Sequence, residues 1–400
     1  MTGLPAVRRI LQIHTRYRQA GGEDVVVDAE RRLLEAAGAS VEQVIFDNAE
    51  LHEARSLGSD ARLAASAVWS GTAKRRVARA IARYRPQVVH VHNTFAAASP
   101  SVYRAATDAH LPVVQTLHNY RLVCPVATCF RDGHACTDCV GRSVAWPAVL
   151  HACVRGSRAQ SAVVATTLGV HRALGTYRNE VDTFIALTSF QRSLMVQGGL
   201  AAARIRVIPN FLEPDPGSSN EPRAGLLYVG RLAQEKGIEA LTLAAGKEPG
   251  ILRVAGDGPL AHLIDRSDAA GDLRRLGRLD AASVLGEVRS ALALVLPSIW
   301  FEGFPMVVLE AFASGTPVIA SRIGSLTEVV DEGETGLYVE PGDPESLAER
   351  MRWASDHPQE MMTMGAKARA RYETTYQGAG HLAALMRTYE EVIARGPSDG

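Results

Sequence analysis

The chain has no apolar run near the roughly 18 residues needed to cross a bilayer. Its first 17 residues are broken by Arg8, Arg9 and His14, so they do not read as a secretory leader. Cysteine is scarce, five in 400 residues, and the odd number without a leader points to a reducing compartment and a cytoplasmic location. There are no repeats and no low-complexity tracts. A G-x-G-x-x-G dinucleotide fingerprint is missing, which counts against a nicotinamide cofactor. No Asp-x-Asp pair follows a predicted strand, so nothing asks for a catalytic metal. Net charge is also missing: 43 Lys and Arg balance 43 Asp and Glu.

What is present is enough apolar residue, 46% hydrophobic against 22% charged, for two ordinary globular domains in 400 residues. The balanced charge hides an asymmetry. Residues 1–210 hold 25 basic and 15 acidic side chains, and residues 211–400 hold 18 and 28. A basic half suits an anionic partner, such as a phospholipid surface or a pyrophosphate-bearing substrate; solvated helix faces are the plainer alternative.

Short β-rich runs alternate with helical patterns through both halves. Val7–Ile13, Val41–Phe46, Gln87–His92, Val113–His118 and Thr183–Leu187 read as strands, with helices over Glu23–Gly38 and Thr72–Tyr84. Residues 207–223, with four prolines and no periodicity, read as a linker. Strands resume at Gly225–Val229, Leu252–Ala255, Leu273–Leu276, Ala291–Leu296 and Pro317–Ala320. Strand–helix alternation implies parallel βαβ units, hence an α/β fold of two doubly wound parallel-sheet domains facing a cleft, with ligands at the carboxyl ends of the strands.

The densest chemical signal is PSIWFEGFPMVVLEAFASGTP, Pro297–Pro317. Gly303 breaks the chain, Pro305 is placed at the first helical position, and a helix spans Met306–Ala313. Its start offers free N–H groups to a phosphate. Glu302 before the helix and Glu310 on its second turn would be repelled by that phosphate, so both suit hydroxyl groups of a sugar or ribose. A second signal, Tyr228–Gly237, places Gly230, Arg231 and Lys236 around a turn after a strand, where two cations can converge on a diphosphate. Surface pairing with Glu235 or Glu239 is the alternative. Gly256 and Gly258 in AGDGP, and Arg278-Leu279, follow other strands of the same half. In the first half Gly21-Gly22 leads into the first helix, where paired glycines let amides approach an anion. His118-Asn119 follows a strand.

Taken together these residues resemble the retaining family-4 glycosyltransferases of the GT-B fold. The match spans nearly the whole chain, through Glu302, seven residues, Glu310 in an EGFP…EA setting, the GRL..EKG segment, the G-x-G-P turn, the Gly-Gly loop and the histidine. His118–Cys139 looks like a subgroup often found in bacterial surface-polysaccharide assembly. The resemblance implies Arg231 and Lys236 on the donor diphosphate, together with Gly303, Phe304, Pro305, Met306 and Val307 around the helix start. It implies Glu310 on the nucleotide ribose, Glu302 on the transferred sugar, and Gly230, Gly256, Gly258, Arg278 and Leu279 around the donor. Gly21 and Gly22 would face the phosphates, and His118 with Asn119 would face the donor sugar and acceptor. Many family members carry Asp where this chain has Asn119. The implied reaction moves a hexosyl group from a UDP- or GDP-sugar to a hydroxyl acceptor, a lipid-linked or growing polysaccharide, with no catalytic cofactor and no nucleic acid partner. A GT-B-shaped nucleotide-sugar epimerase and a non-catalytic nucleotide-sugar binder are the rivals.

The implied domains are an acceptor-side unit over 1–206 with a Cys-rich insertion about 120–158, the linker 207–223, a nucleotide-sugar unit over 224–373, and a helix over 374–400 that packs back on the first. All five cysteines fall within Cys124–Cys153. Cys136-x-x-Cys139 is half of a structural zinc pattern, with Cys124 and Cys153 as the other ligands and His134, His151 or Cys129 as substitutes. Packed, reduced thiols are the alternative. Lys74, Arg75, Arg76, Arg79, Arg83 and Arg85 crowd one helix and its end, with Val77, Ala80, Ile81 and Tyr84 on its apolar side, a pattern that suits peripheral contact with the inner face of an anionic membrane and equally suits an ordinary surface helix.

Overall fold

The computed structural model describes residues 7–16, 21–48, 59–218 and 222–396. They form two compact units: Met1–Thr128 with Thr137–Pro209 and His381–Gly400, and Cys129–Cys136 with Asn210–Gly380. In chain order the strands of the first stretch are β1 (Arg9–Arg16), β2 (Ser40–Asp47), β3 (Val88–Val91), β4 (Val113–Leu117), the hairpin pair β5 (Phe130–Arg131) and β6 (His134–Ala135), β7 (Thr183–Ala186) and β8 (Ile205–Val207). Those of the second are β9 (Leu226–Val229), β10 (Leu252–Ala255), β11 (Leu273–Gly277), β12 (Ala293–Leu296), β13 (Val318–Ser321) and β14 (Gly336–Val339).

The first unit's sheet is all parallel, in the order β2-β1-β3-β4-β7-β8, and the second's is all parallel in the order β11-β10-β9-β12-β13-β14. Both are α/β and doubly wound. The first reverses direction between β1 and β3, the flavodoxin-like order, and the second between β9 and β12, the Rossmann order. At such a reversal the loops leaving the two strands diverge and open a crevice at their carboxyl ends. Chemistry in each unit is therefore expected after β1 and β3, and after β9 and β12.

Several boundaries differ from the sequence reading. β1 runs on to Arg16 because it pairs residue for residue with Ser40–Asp47, which carries His14 and Thr15 into the sheet despite their polarity. Helix α1 (Gly22–Ala36) starts one residue early. Val207 closes β8 rather than opening a linker, and β14 lay outside the predicted strands altogether, being short and bracketed by Glu and Gly residues. Pro305 is not the first helical residue: with φ −72° and ψ 118° it is the extended residue ahead of the helix Met306–Ala313.

Each unit has its own core. In the first, Val88, Val114 and Ile185 of the sheet pack with Leu385, Tyr389 and Val392 of the C-terminal helix Gly378–Arg395. In the second, Leu226, Val254, Val295 and Ile319 pack with Leu241, Leu347 and Met351. The basic helix Gly71–Tyr84 buries Val77, Ala80 and Ile81. Its apolar side is thus spent on protein packing, which corrects the expectation that this side would meet a membrane. Arg76 donates to the Ile45 carbonyl and Arg83 pairs with Glu42, while Arg75, Arg79 and Arg85 stay exposed.

The turn after β9 lies hard against its neighbours. A Cβ on Gly256, whose φ is +145°, would come 1.9 Å from the Gly230 carbonyl oxygen, and one on Gly258 would come 2.5 Å from the Leu232 carbonyl oxygen. Gly256→Ala is expected to lower the unfolding free energy of the second unit by about 2 kcal/mol or more, on the scale of a strained backbone plus a steric clash. Denaturant titration followed by tryptophan fluorescence reads this, and an unchanged midpoint would contradict it.

Candidate functional site

The second unit assembles its polar residues around the β9/β12 reversal. Lys236, at the end of the turn after β9, donates from Nζ to Glu302 Oε1 at 2.7 Å, and the Ser298 hydroxyl donates to the same oxygen at 2.6 Å. The Lys236 side chain is 19% exposed and that of Glu302 5%. Nζ also lies 5.1 Å from the centre of the Trp300 ring. Gly237 makes this approach possible: a Cβ there would sit 2.0 Å from the Pro297 carbonyl oxygen. Two residues assigned separate duties from sequence, Lys236 to a diphosphate and Glu302 to sugar hydroxyls, are therefore joined in one ion pair. Ser298 and Trp300 complete the cluster, and no spacing rule singles them out.

Arg231 pairs with Glu235, the surface pairing left open above, and its side chain is 56% exposed. Its backbone carbonyl accepts from the Tyr228 hydroxyl at 2.9 Å. Gly230 and Gly256 anchor the turn, with Gly230 N–H donating to the Ala255 carbonyl and Gly256 N–H to the Gly277 carbonyl. Arg278 is exposed and Leu279 half-buried just before the helix that Asp280 caps. Phe304 is buried edge-on to Tyr376. Gly303, Pro305, Met306 and Val307 are half-buried at the helix start. Glu310 is half-buried on the second turn, where burial raises its carboxyl above the ordinary range.

The first unit shows a cluster that the sequence reading did not single out. Glu30 of α1, 2% exposed, takes a hydrogen bond from Gln12 Nε2 at 2.8 Å and lies 3.1 Å from His90 Nδ1, 3.3 Å from His92 Nε2 and 3.4 Å from His381 Nε2. Burial pushes the Glu30 carboxyl up, but the histidines outweigh it and hold it well below its usual value. Among the described residues, Glu30, His90 and His92 form a group whose potential metal-binding atoms lie within 4.8 Å of one another. Yet His90 is already engaged at both nitrogens, by Tyr389 Oη at 2.7 Å and Thr116 Oγ1 at 2.8 Å, and Glu30 by Gln12, so the group fits a satisfied hydrogen-bond network better than a metal site. A His-x-His pair at a strand end was the available signal, since residues two apart share one face.

From this network His92 Nδ1 reaches His118 Nε2 at 3.0 Å. Burial, followed by the neighbouring histidines, lowers His92 to about 4 and His118 well below its ordinary value, so both rings are neutral at pH 7. His118 and Asn119 line a cavity with Gln115, Arg121, Phe95 and Tyr177. The Asn119 side chain accepts from Arg121 N–H at 3.0 Å. Gly21 N–H donates to Asp24 Oδ2 at 3.0 Å, so this amide, expected to face a phosphate, is already capped by a carboxylate. Gly22 begins α1. None of the cysteines is in a disulfide: Cys124, Cys129 and Cys139 are buried, Cys136 and Cys153 half-buried, and Cys139 and Cys153 pack around Ala145, Ala148 and Ala165.

Residues 8–216 match the family model described as Glycosyltransferase Family 4, and residues 212–371 that described as Glycosyl transferases group 1. The glycogen synthase of Mycobacterium tuberculosis is 30% identical over 321 residues, 76% of this chain and 69% of that protein. Sucrose-phosphate synthase from Thermosynechococcus elongatus aligns with a TM-score of 0.70 at 19% identity, over 97% of this chain and 100% of the other. Anabaena Alr3699/HepE, solved in complex with UDP, aligns with a TM-score of 0.65 at 18% identity, over 96% and 100%. The fold is GT-B.

The neutral histidines make a pH prediction. A histidine whose folded value is depressed below its unfolded one binds its proton in the unfolded chain first, so folding loses stability as pH falls from the unfolded value toward the folded one. For His92 that window runs from the ordinary 6.5 down to about 4, at a limiting slope of about 1.4 kcal/mol per pH unit. The unfolding midpoint of the first unit is expected to drop through this window, and His92→Gln to flatten the slope. A midpoint flat from pH 7 to 4 would contradict the neutral assignment.

Proposed function

The chain belongs to glycosyltransferase family 4, and from this we propose that it moves a hexosyl group from a UDP- or GDP-sugar to a hydroxyl acceptor, a lipid-linked or growing polysaccharide, with anomeric configuration retained. The observation that carries the donor assignment is the Lys236–Glu302 pair beside the start of Met306–Ala313 at the strand reversal. HepE's UDP complex supports a uridine donor as the first to try. The sugar–diphosphate bond breaks through an oxocarbenium-like transition state while negative charge grows on the leaving diphosphate. Lys236 and the helix start supply fixed positive potential for that charge, and Arg231 adds a bidentate fork once it leaves Glu235. Glu302, oriented by Lys236 and Ser298, serves hydroxyls of the transferred sugar; Glu310 takes the ribose. Arg278 and Leu279 border the base, while Gly230, Gly256, Gly258, Gly303, Phe304, Pro305, Met306 and Val307 shape the donor wall. In the first unit His118 and Asn119 serve the sugar and acceptor side and Gly21 and Gly22 the phosphate side, the Gly21 amide being already capped by Asp24.

Retention by double displacement would need a nucleophilic carboxylate at the anomeric carbon. Glu302 is committed to Lys236 and Ser298, which favours a positioning role and front-face attack. The protein works in the cytoplasm at the inner face of the membrane, touching anionic lipid through the exposed Arg75, Arg79 and Arg85. The enzyme needs no catalytic metal. Thiolates are the donor type a structural zinc on Cys124, Cys136, Cys139 and Cys153 would need, but among the described residues Glu30, His90 and His92 are the group whose ligand atoms come close enough to share an ion, so the four cysteines as placed do not fit the metal. Metal analysis of purified protein is then expected to find far less than one zinc per chain, and about one per chain would contradict this placement.

A calorimetric screen of UDP- and GDP-sugars tests the donor class. Lys236→Ala is expected to lower kcat/KM by about 100-fold or more, on the scale of losing one preorganised donor to a developing anion. The substitution also strands a buried carboxylate, so Lys236→Ala with Glu302→Gln is expected to recover stability but not activity. Wild-type turnover in either variant would remove Lys236 from the diphosphate.

A further inference from the structure

One surface of the first unit turns its large apolar side chains outward. Ten such side chains are exposed among the described residues, and six of them lie on or beside the helix Arg158–Ala173. In the short helix Trp146–Leu150 the smaller Pro147 and Ala148 are buried, while Trp146 and Leu150, one turn apart, are 52% and 53% exposed. A helix that meets only water on its outer side shows the opposite pattern. This helix packs on Arg158–Ala173. The end of that longer helix repeats the inversion, since Val170 and, just past it, Leu174 lie one turn apart and are both exposed. Exposed Val144 reaches the same helix, its Cγ2 3.9 Å from where a Cβ on Gly169 would stand. Exposed Trp69 stacks on His171, with ring centres 6.3 Å apart. The core beneath, Cys139 with Ala145, Ala148 and Ala165, is built of small side chains and takes none of these groups.

The charge around this patch has one sign. From Cys139 to Asn179 the chain has five arginines and no acidic residue. Arg142, Arg155, Arg158 and Arg178 are exposed. The Arg142 guanidinium sits 5.1 Å from the centre of the Trp146 ring, and Arg172 donates to the Arg142 carbonyl, so cations and apolar groups share one surface.

We propose that this face, Trp146 and Leu150 with Val144, Val170 and Leu174, docks the chain on an anionic lipid bilayer. The apolar side chains enter the headgroup region and the arginines hold lipid phosphates. This adds an inserting contact to the charge contact given to Arg75, Arg79 and Arg85, and it does not depend on the sugar-transfer reading. A contiguous apolar patch is costly in water and marks an interaction site. Seated among headgroups it leaves water, while guanidinium forks pair with phosphate oxygens. Tryptophan, with an apolar body and one N–H donor, suits that boundary. A second copy seated face to face would set arginine against arginine, so the charge points away from a symmetric dimer.

The test uses the full chain and vesicles of phosphatidylcholine, plain or carrying about 30 mol % phosphatidylglycerol as the anionic lipid. Wild type is expected to sediment with the anionic vesicles more tightly than with the plain ones. Part of that binding is expected to survive about 1 M salt, where the reach of charge shrinks to about 3 Å. Trp146→Ser with Leu150→Ser is expected to weaken vesicle binding by about 10-fold or more and to lose the salt-resistant part. Its unfolding midpoint is expected to stay unchanged, because both side chains already stand half in water. Arg75→Ser with Arg79→Ser and Arg85→Ser reads the other contact separately, and is expected to keep the salt-resistant binding. Wild-type vesicle binding in the Trp146→Ser, Leu150→Ser variant would overturn the proposal, and so would a wild type that ignores anionic vesicles. A dimer of the full chain that those two substitutions dissolve in ultracentrifugation would also overturn it, by giving the face to a second copy.

Discussion

The ion pair between Lys236 and Glu302 constrains everything around it in the second unit. Glu302 is nearly removed from water and Lys236 mostly so, and burying charges in this way is costly enough that a lone pairing rarely repays it. Here the Ser298 hydroxyl on the same carboxylate oxygen and the Trp300 ring face beside Nζ share the burden. Such an arrangement is weak evidence for stability and better evidence for a site. It holds a cation and an acid in fixed geometry at the one place in the sheet where diverging loops leave a crevice. Under the proposed donor assignment, a diphosphate arriving there meets a lysine already oriented by a carboxylate.

Backbone geometry makes that arrangement affordable. The turns that follow β9, β10 and β11 interlock through amide-to-carbonyl bonds among Gly230, Ala255, Gly256 and Gly277. Side chains are excluded at Gly256 and Gly237 by direct collision with carbonyl oxygens. The glycine pattern is therefore a packing requirement of neighbouring strand ends, and it positions Arg231 and Lys236 as a consequence. In the first unit the comparable requirement is met by polar side chains. Glu30 gathers Gln12, His90, His92 and His381, and His92 passes the order on to His118. The C-terminal helix belongs to that network through Tyr389 and His381, so the end of the chain fixes residues at the end of β3.

Much of this was legible from sequence, for identifiable reasons. The helix Met306–Ala313 was readable to within a residue at its start, where Pro305 is the extended residue ahead of it rather than its first, because a proline before it and a glycine after it leave few alternatives. Strand β10 was equally clear as a short apolar run between turns. The motif residues Lys236 and Glu302 were found, but their pairing was not, because 66 residues of chain separate them and only the order β9-β12 in the sheet brings them together. β1 was cut short because His14, Thr15 and Arg16 look like loop residues until a parallel neighbour supplies their partners. The buried acids and histidines of the first unit were missed for a related reason. Sequence rules treat Glu23, Asp24 and Glu30 as an exposed acidic helix face, and only the sheet beneath shows that this face is turned inward against histidines.

A crystal structure of the chain with UDP bound addresses the central claim most directly. The account predicts diphosphate oxygens within hydrogen-bond reach of Lys236 Nζ and of the amides opening the helix Met306–Ala313. A diphosphate seated away from those groups, with Lys236 still closed on Glu302, would contradict it.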